Sequence, residues 1–295
     1  MKLARYWSRG EGEATGPDGE RVRVVARGWS DENIDSARAR ARDIARRVAE
    51  RLLSHPGQRN QYQYGDRPLP EPVTREFRAG GDRPLAVVTR NAYGALVLNA
   101  DQLMFVDIDR EDPKPATASS VESTLSGLFS SLFGKTVPSA PPPTAPPTVA
   151  DDIRRIAERH RLSVRVYKTA AGYRGLITNA PFRAGTSEAE GLLREFGADN
   201  MYVHLCRVQE CFRARLTPKP WRCNFHKPPV EFPFETPQVE AQFRRWEIDY
   251  NQKAAAYATC RYVATVGAGG VSPEFQELVH YHDQETKASS GLPLA

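Results

Sequence analysis

The sequence is short of long apolar runs. No stretch of its 295 residues reaches the roughly 18 consecutive hydrophobic residues that a membrane span needs. The opening MKLARYWSRGEGEATG has no secretory h-region, and its acid and glycine content does not suit a transit peptide, so a cytoplasmic protein is expected. Cysteine is also scarce. Cys206, Cys211, Cys223 and Cys260 do not look like a disulfide framework in a chain of this size. Cys223-x2-His226 has acceptable zinc spacing, but no Cys-x-x-Cys exists and Cys206 and Cys211 would diverge on a helix, so buried free thiols are expected. The chain has no Gly-x-Ser-x-Gly, no His-Glu-x-x-His and no P-loop spacing, which removes the common serine hydrolase, zinc protease and P-loop nucleotidase readings.

What is present is an ordinary globular composition, 40% apolar and 26% charged, enough for one large domain or two modest ones. The net charge of +5 is unevenly placed. From Asp151 to Arg222 there are 14 Lys and Arg against 8 Asp and Glu, a surplus larger than that of the whole chain. Such asymmetry favours an anionic partner (nucleotide, nucleic acid or phosphorylated metabolite) unless the arginines are simply solvated helix faces.

Taken in order, residues 1–82 read as N-terminal strands and a basic amphipathic helix. Two alternating runs flank the turn Gly16-Pro17-Asp18-Gly19, and Ser30 is placed to cap a helix whose stripe is Ile34, Ala37, Ala41, Ile44, Ala45, Val48 and Leu52. The loop after it carries Tyr62, Tyr64 and Arg67, which either stack on a base or pack the loop down. Residues 83–112 read as strands, with a turn at Asn99-Ala100-Asp101 leading into LMFVDIDR. Residues 113–149 are a flexible Pro/Ser/Ala-rich insertion. Inside it Leu125, Leu128, Phe129, Leu132 and Phe133 have helical spacing, so this 125–133 segment can dock on its own chain or on a protein partner. Residues 150–225 resume with helix, two strands and a helix, and 226–295 read as a C-terminal helical region, with one helix from Gln238 to Val266 and another ending at the surface near His280 and His282.

The centre of this reading is the pair Asp107 and Asp109. Alternation along a strand puts both carboxylates on one face, where they repel unless a cation sits between them. Mg²⁺ typically takes one or two carboxylates plus water and substrate phosphates, so this pair suffices for Mg²⁺ or Mn²⁺. Lys168, Arg174, Arg213, Arg215, Lys219 and Arg222 are the phosphate candidates. In KTAAGYRG the small residues would expose backbone N–H groups while Lys and Arg supply charge, and in FRARLTPKPWR the prolines would fan cations from an extended path.

Asp-x-Asp on the first strand of a β-α-β-β-α order resembles the palm core of the archaeo-eukaryotic primase and primase-polymerase superfamily, over Leu103–Asp109 and Val149–Arg222. That resemblance implies metal binding and nucleotidyl transfer at Asp107 and Asp109. The family's second motif, a Ser-x-His, has no histidine in the corresponding stretch Thr169 to Leu176. The whole chain also resembles a bacterial protein family that carries no assigned activity. The expected fold is α+β: a ferredoxin-like, split βαβ sheet interrupted by the Pro-rich insertion, with helical elaborations at both ends. The expected function is metal-assisted nucleotide or nucleic-acid binding. The competing expectation is a non-catalytic interaction protein whose Asp pair and Arg cluster form a structural ion network.

Overall fold

The chain opens on a long antiparallel hairpin, β1 (Tyr6–Thr15) and β2 (Arg21–Ser30), with helix α1 (Ile34–Ser54) laid across it. The computed structural model describes residues 1–54, 67–78, 84–110, 112 and 148–295. Helix and hairpin meet backbone to backbone. Ala37, Ala41, Ala45 and Ala49 recur every four residues and are fully buried, placing one smooth stripe on the hairpin. A Cβ added at Gly28 would stand 2.3 Å from the Ala41 nitrogen, and one at Gly12 2.3 Å from the Arg46 nitrogen. The helix is capped by Asn33, whose side chain accepts from the Ser36 N–H at 2.8 Å; Ser30 instead accepts from Glu32 within its own turn.

Two four-stranded antiparallel sheets follow. The first runs in the order β3 (Val73–Arg78), β4 (Pro84–Arg90), β5 (Leu96–Ala100), β9 (Phe212–Arg215). The second runs β10 (Cys260–Gly267), β7 (Ser163–Thr169), β8 (Tyr173–Ile177), β6 (Phe105–Ile108). The remaining described α-helices are α2 (Val149–Arg159), α3 (Ser187–Glu195), α4 (Asn200–Gln209), α5 (Pro237–Ala254) and α6 (Gln276–Glu285). The α+β class is as expected. β6 and β7 both run antiparallel to β8, which lies between them, so these three strands and α2 have the split βαβ form. The closing strand β10 lies outside β7, whereas a ferredoxin-like sheet would close beside β6.

Two expectations change. The turn near Ala100 does not fold β6 back onto β5: β5 pairs with β9 and β6 crosses to the other sheet. The hairpin lies one turn earlier, joining β4 to β5 through Asn91–Gly94. The helix expected from Gln238 to Val266 ends at Ala254, and CRYVATVG, rich in β-branched residues, becomes β10 and completes the core sheet.

One apolar cluster runs through both sheets and is closed by α2, α3, α4 and α6; Leu98, Phe105, Leu176, Ile153, Leu193 and Leu278 are fully buried in it. Each such side chain contributes about 1.5–3 kcal/mol. A second, smaller cluster around Phe243, Trp246 and Tyr250 seats α5. Helix α2 starts at a capping box: Thr148 accepts from the Asp151 N–H while the Asp151 carboxylate accepts from that of Thr148. Beside it the Asp112 carboxylate accepts from the Val149 N–H at 2.9 Å, so the two ends of the segment between them are joined. Tyr62, Tyr64 and the 125–133 segment lie outside the described residues. Among the described residues no helix is long and apolar enough to cross a membrane.

Candidate functional site

The edge of the second sheet carries a row of polar side chains. The strand register sets Asp107 opposite Arg174 on β8, Arg174 opposite Tyr167 on β7, and Tyr167 opposite Tyr262 on β10. Neighbours directly opposite in a sheet present side chains to the same face. On the other face Val106, Val164, Val166 and Ile177 go into the core, so the alternation read from LMFVDIDR holds. Asp107 keeps a third of its side chain accessible, Ile108 is buried and Asp109 is exposed. The strand therefore ends in two carboxylates open to solvent.

Arg174 is almost wholly buried beside them. Its Nε lies 3.8 Å from Asp107 Oδ1, its Nη1 donates to the Arg215 carbonyl at 2.9 Å, and the same nitrogen is 3.3 Å from His282 Nε2. An arginine donates only, so His282 Nε2 is the acceptor and the ring proton sits on Nδ1, 3.0 Å from Asp283 Oδ1. Asp283 also accepts from Tyr167 Oη at 2.6 Å and pairs with Arg165. Burial, then the cations Arg174 and Arg165, push His282 down to about 4, against the opposing pull of Asp283; it is neutral at physiological pH. Burial acts to raise the Asp283 carboxyl, but its bonds to His282 and Tyr167 win and hold it below its ordinary value. The expectation that His282 is a surface group at a helix end is overturned: it is completely buried, because α6 packs on the polar row.

The other wall comes from the first sheet. β9 lies near β6, where Tyr202 Oη donates to the Phe105 carbonyl at 2.9 Å and accepts from the Arg213 N–H at 3.4 Å, and the chain continues into the turn carrying Lys219 and Arg222. That turn is firmly built: Leu216 N–H donates to the Leu96 carbonyl at 2.8 Å, and Tyr250 Oη donates to the Pro218 carbonyl at 2.6 Å. Burial, then Arg174, pushes the Arg215 guanidinium down to about 10, and its Nε is buried with no hydrogen-bond partner. Lys219 is lowered by burial, then by Arg215 and Arg222. Among the described residues none of these three cations has a carboxylate within 4.0 Å, though Arg215 and Lys219 lie close enough to act on Asp109.

Asp109 is raised above the usual carboxylate range, first by burial, then by Asp107 and by Asp199. Asp199 is the residue that sequence reasoning missed. It caps α4 through the Tyr202 N–H at 2.9 Å, and its own N–H donates to the Asp107 carbonyl at 3.1 Å. The only local signal was a capping position, and nothing in a cap announces a neighbouring aspartate pair. Among the described residues no group of three or more His, Cys, Asp or Glu is gathered as a metal site. Two carboxylates are the oxygen donors that a hard cation such as Mg²⁺ or Mn²⁺ takes.

The six phosphate candidates divide. Arg174, Arg215 and Lys219 converge on the aspartates, and Arg222 lies beside Arg215 and Lys219. Lys168 lies over the Tyr173 ring and 4.0 Å from Asp112, at the outer end of the hairpin. Arg213 does not join them: it is buried, bonded to both Glu71 oxygens at 2.8 and 2.9 Å and to Asn99 Oδ1 at 2.6 Å. Gly172 is not spread open for phosphate either. A Cβ there would stand 2.0 Å from the Ile108 carbonyl, so its smallness admits the end of β6. All four cysteines are buried free thiols, and burial pushes Cys206 up to about 12 and Cys211 up to about 11. Compared with protein-family models, curated proteins and solved structures, the chain matches none of them.

Proposed function

We propose that the protein binds a nucleotide or nucleic acid through a divalent cation held by Asp107 and Asp109, with phosphates on Arg215, Lys219 and Arg222. The observation that carries this reading is the pairing of two solvent-open carboxylates with three cations that have no carboxylate within ion-pair distance among the described residues. Buried or crowded charges are ordinarily paired. Here Arg215 and Lys219 sit close enough to act on Asp109 yet stand more than 4.0 Å from it, an arrangement that suits an anion and its counter-ion between them. The cation supplies charge neutralisation to a bound polyphosphate. Arg174 holds the Asp107 side of the strand in place, and the rigid Pro218-Lys219-Pro220 turn presents its cations with little ordering left to lose on binding. Nucleotidyl transfer of primase-polymerase type is the reaction this arrangement would serve, in keeping with the Asp-x-Asp strand and the β-α-β-β order that resemble that superfamily.

One observation favours the competing reading of a structural ion network in a non-catalytic interaction protein: Arg174 already stands 3.8 Å from Asp107. The two separate in a titration of a labelled nucleoside triphosphate with and without Mn²⁺, comparing wild type with the double variant Asp107→Asn/Asp109→Asn. The proposal expects Mn²⁺-dependent binding that the double variant loses. Folded protein that binds no nucleotide with or without metal leaves the ion-network reading.

A further inference from the structure

Two large aromatic rings stand in the open next to this site. Trp221 is 48% exposed and Tyr93 47% exposed, and they meet edge to face with ring centroids 5.1 Å apart. They come from separate parts of the chain. Trp221 lies in the short 3₁₀ turn Pro220–Cys223 after β9, and Tyr93 in the tight turn between β4 and β5. Neither turn is loose: the Asn91 side chain accepts from the N–H groups of Tyr93 and Ala95, and Phe225 N–H closes onto the Pro220 carbonyl at 3.0 Å. Nearby aromatic residues of the same region, Phe225, Trp246 and Tyr250, pack into the second core cluster, and Trp221 and Tyr93 belong to neither cluster. Tryptophan and tyrosine bury large apolar areas, so two rings held rigidly outside the core are a surface made for something else.

The charge around the rings narrows what that is. Lys219 Nζ lies 5.5 Å over the Trp221 ring and also acts on Asp109, so one side chain joins the rings to the carboxylate pair. Arg222 follows Trp221 directly and, like Lys219 and Arg215, has no carboxylate within 4.0 Å among the described residues. A ligand for this strip has flat faces and regularly spaced negative charge. We infer that Tyr93 and Trp221 form a stacking shelf for the unpaired bases of a single-stranded nucleic acid whose phosphates follow Lys219 and Arg222 toward Asp107 and Asp109. Aromatic shelves interleaved with cations suit single strands, because every base offers a π face while a duplex hides its faces in its own stack. The inference deepens the nucleotide reading above and rests on it for the direction of the strand.

The test is a fluorescence titration of the full chain with a labelled oligothymidylate, a duplex of mixed sequence, and a nucleoside triphosphate with Mn²⁺. Wild type is compared with Trp221→Ala, Trp221→Phe and Tyr93→Ala. The expected result is a loss of single-strand affinity of about tenfold or more in Trp221→Ala, a smaller loss in Tyr93→Ala, near-retention in Trp221→Phe, and weaker binding of the duplex by wild type. Because both side chains are exposed, thermal melts of the variants should match wild type. Single-strand affinity unchanged in Trp221→Ala, or reduced equally in Trp221→Phe, overturns the shelf. If the triphosphate shows no Mn²⁺ dependence while the oligonucleotide still needs Trp221, the metal reading fails and the shelf stands. If the triphosphate binds through Mn²⁺ and the aspartates while the oligonucleotide ignores Trp221, the shelf alone fails.

Discussion

Arg213 and Arg215 are two residues apart on the same face of β9, and the protein treats them in opposite ways. Arg213 is sealed in: Glu71 takes it with both oxygens, Asn99 takes a third bond, and Thr89 bonds to both Glu71 and Asn99. Arg215 is half-buried, has its Nε without a partner, and faces the carboxylates of the strand end from a distance. Glu71 and the cation set therefore divide the two expectations between them. A structural ion network is built around Arg213 and Glu71, and it does not include the aspartate pair. The cluster at Arg215, Lys219 and Arg222 is the part left unfinished. Equal sequence character, alternate residues in FRAR, gives one cation bonded into the fold and one whose Nε is left without a partner.

The contrast is breakable. Arg213→Ala leaves the Glu71 carboxylate buried without its partner and should cost about 3–5 kcal/mol in denaturant unfolding. Arg215→Ala should cost less than about 1 kcal/mol and instead weaken nucleotide binding. Equal stability losses would mean that Arg215 is as structural as its neighbour.

A second comparison sets neutral His282 against the exposed carboxylates. The histidine's folded value, about 4, lies below its unfolded value of 6.5, so its contribution to stability is complete above pH 6.5 and is lost as pH falls toward 4. That amounts to about 3 kcal/mol, and wild type should become easier to unfold over that interval while His282→Asn shows a flatter profile. Asp109 has the opposite sign. Its raised value means that the folded protein holds a proton there more readily in the acid range, where a cation would compete with it. Mn²⁺ affinity should therefore fall as pH is lowered through the acid range, with proton uptake on metal release measurable by calorimetry, and Asp109→Asn should remove that dependence. The smallest effect concerns the turn: Lys219→Ala and Arg222→Ala should each reduce the slope of log affinity against log salt by about one, while Lys168→Ala, at the other end of the hairpin, leaves it unchanged.

How much of this was legible depends on how far apart the partners lie in the chain. The aspartate pair at the end of its strand and the split βαβ order around it are local patterns, and both are found as read. CRYVATVG was lost to the helix because Phe243, Trp246, Tyr250, Ala254 and Tyr257 keep helical spacing right up to it. Arg213 reads as a phosphate ligand until Glu71, 142 residues earlier, is brought beside it. His282 reads as a surface group until Arg174, 108 residues earlier, turns its guanidinium onto the ring. Periodicity reports which way a side chain faces; only the assembled sheets report what it meets there.

The bond from Asp112 to the Val149 N–H has a consequence for the history and engineering of the chain. The two points where residues 113–147 leave and re-enter are adjacent, so the core between β6 and α2 is closed without reference to the length of what lies between. Closing such a span grows more costly only slowly with added residues. Shortening residues 113–147 is therefore expected to leave Asp107 and Asp109 in their places, with the thermal melt of such a variant as the check.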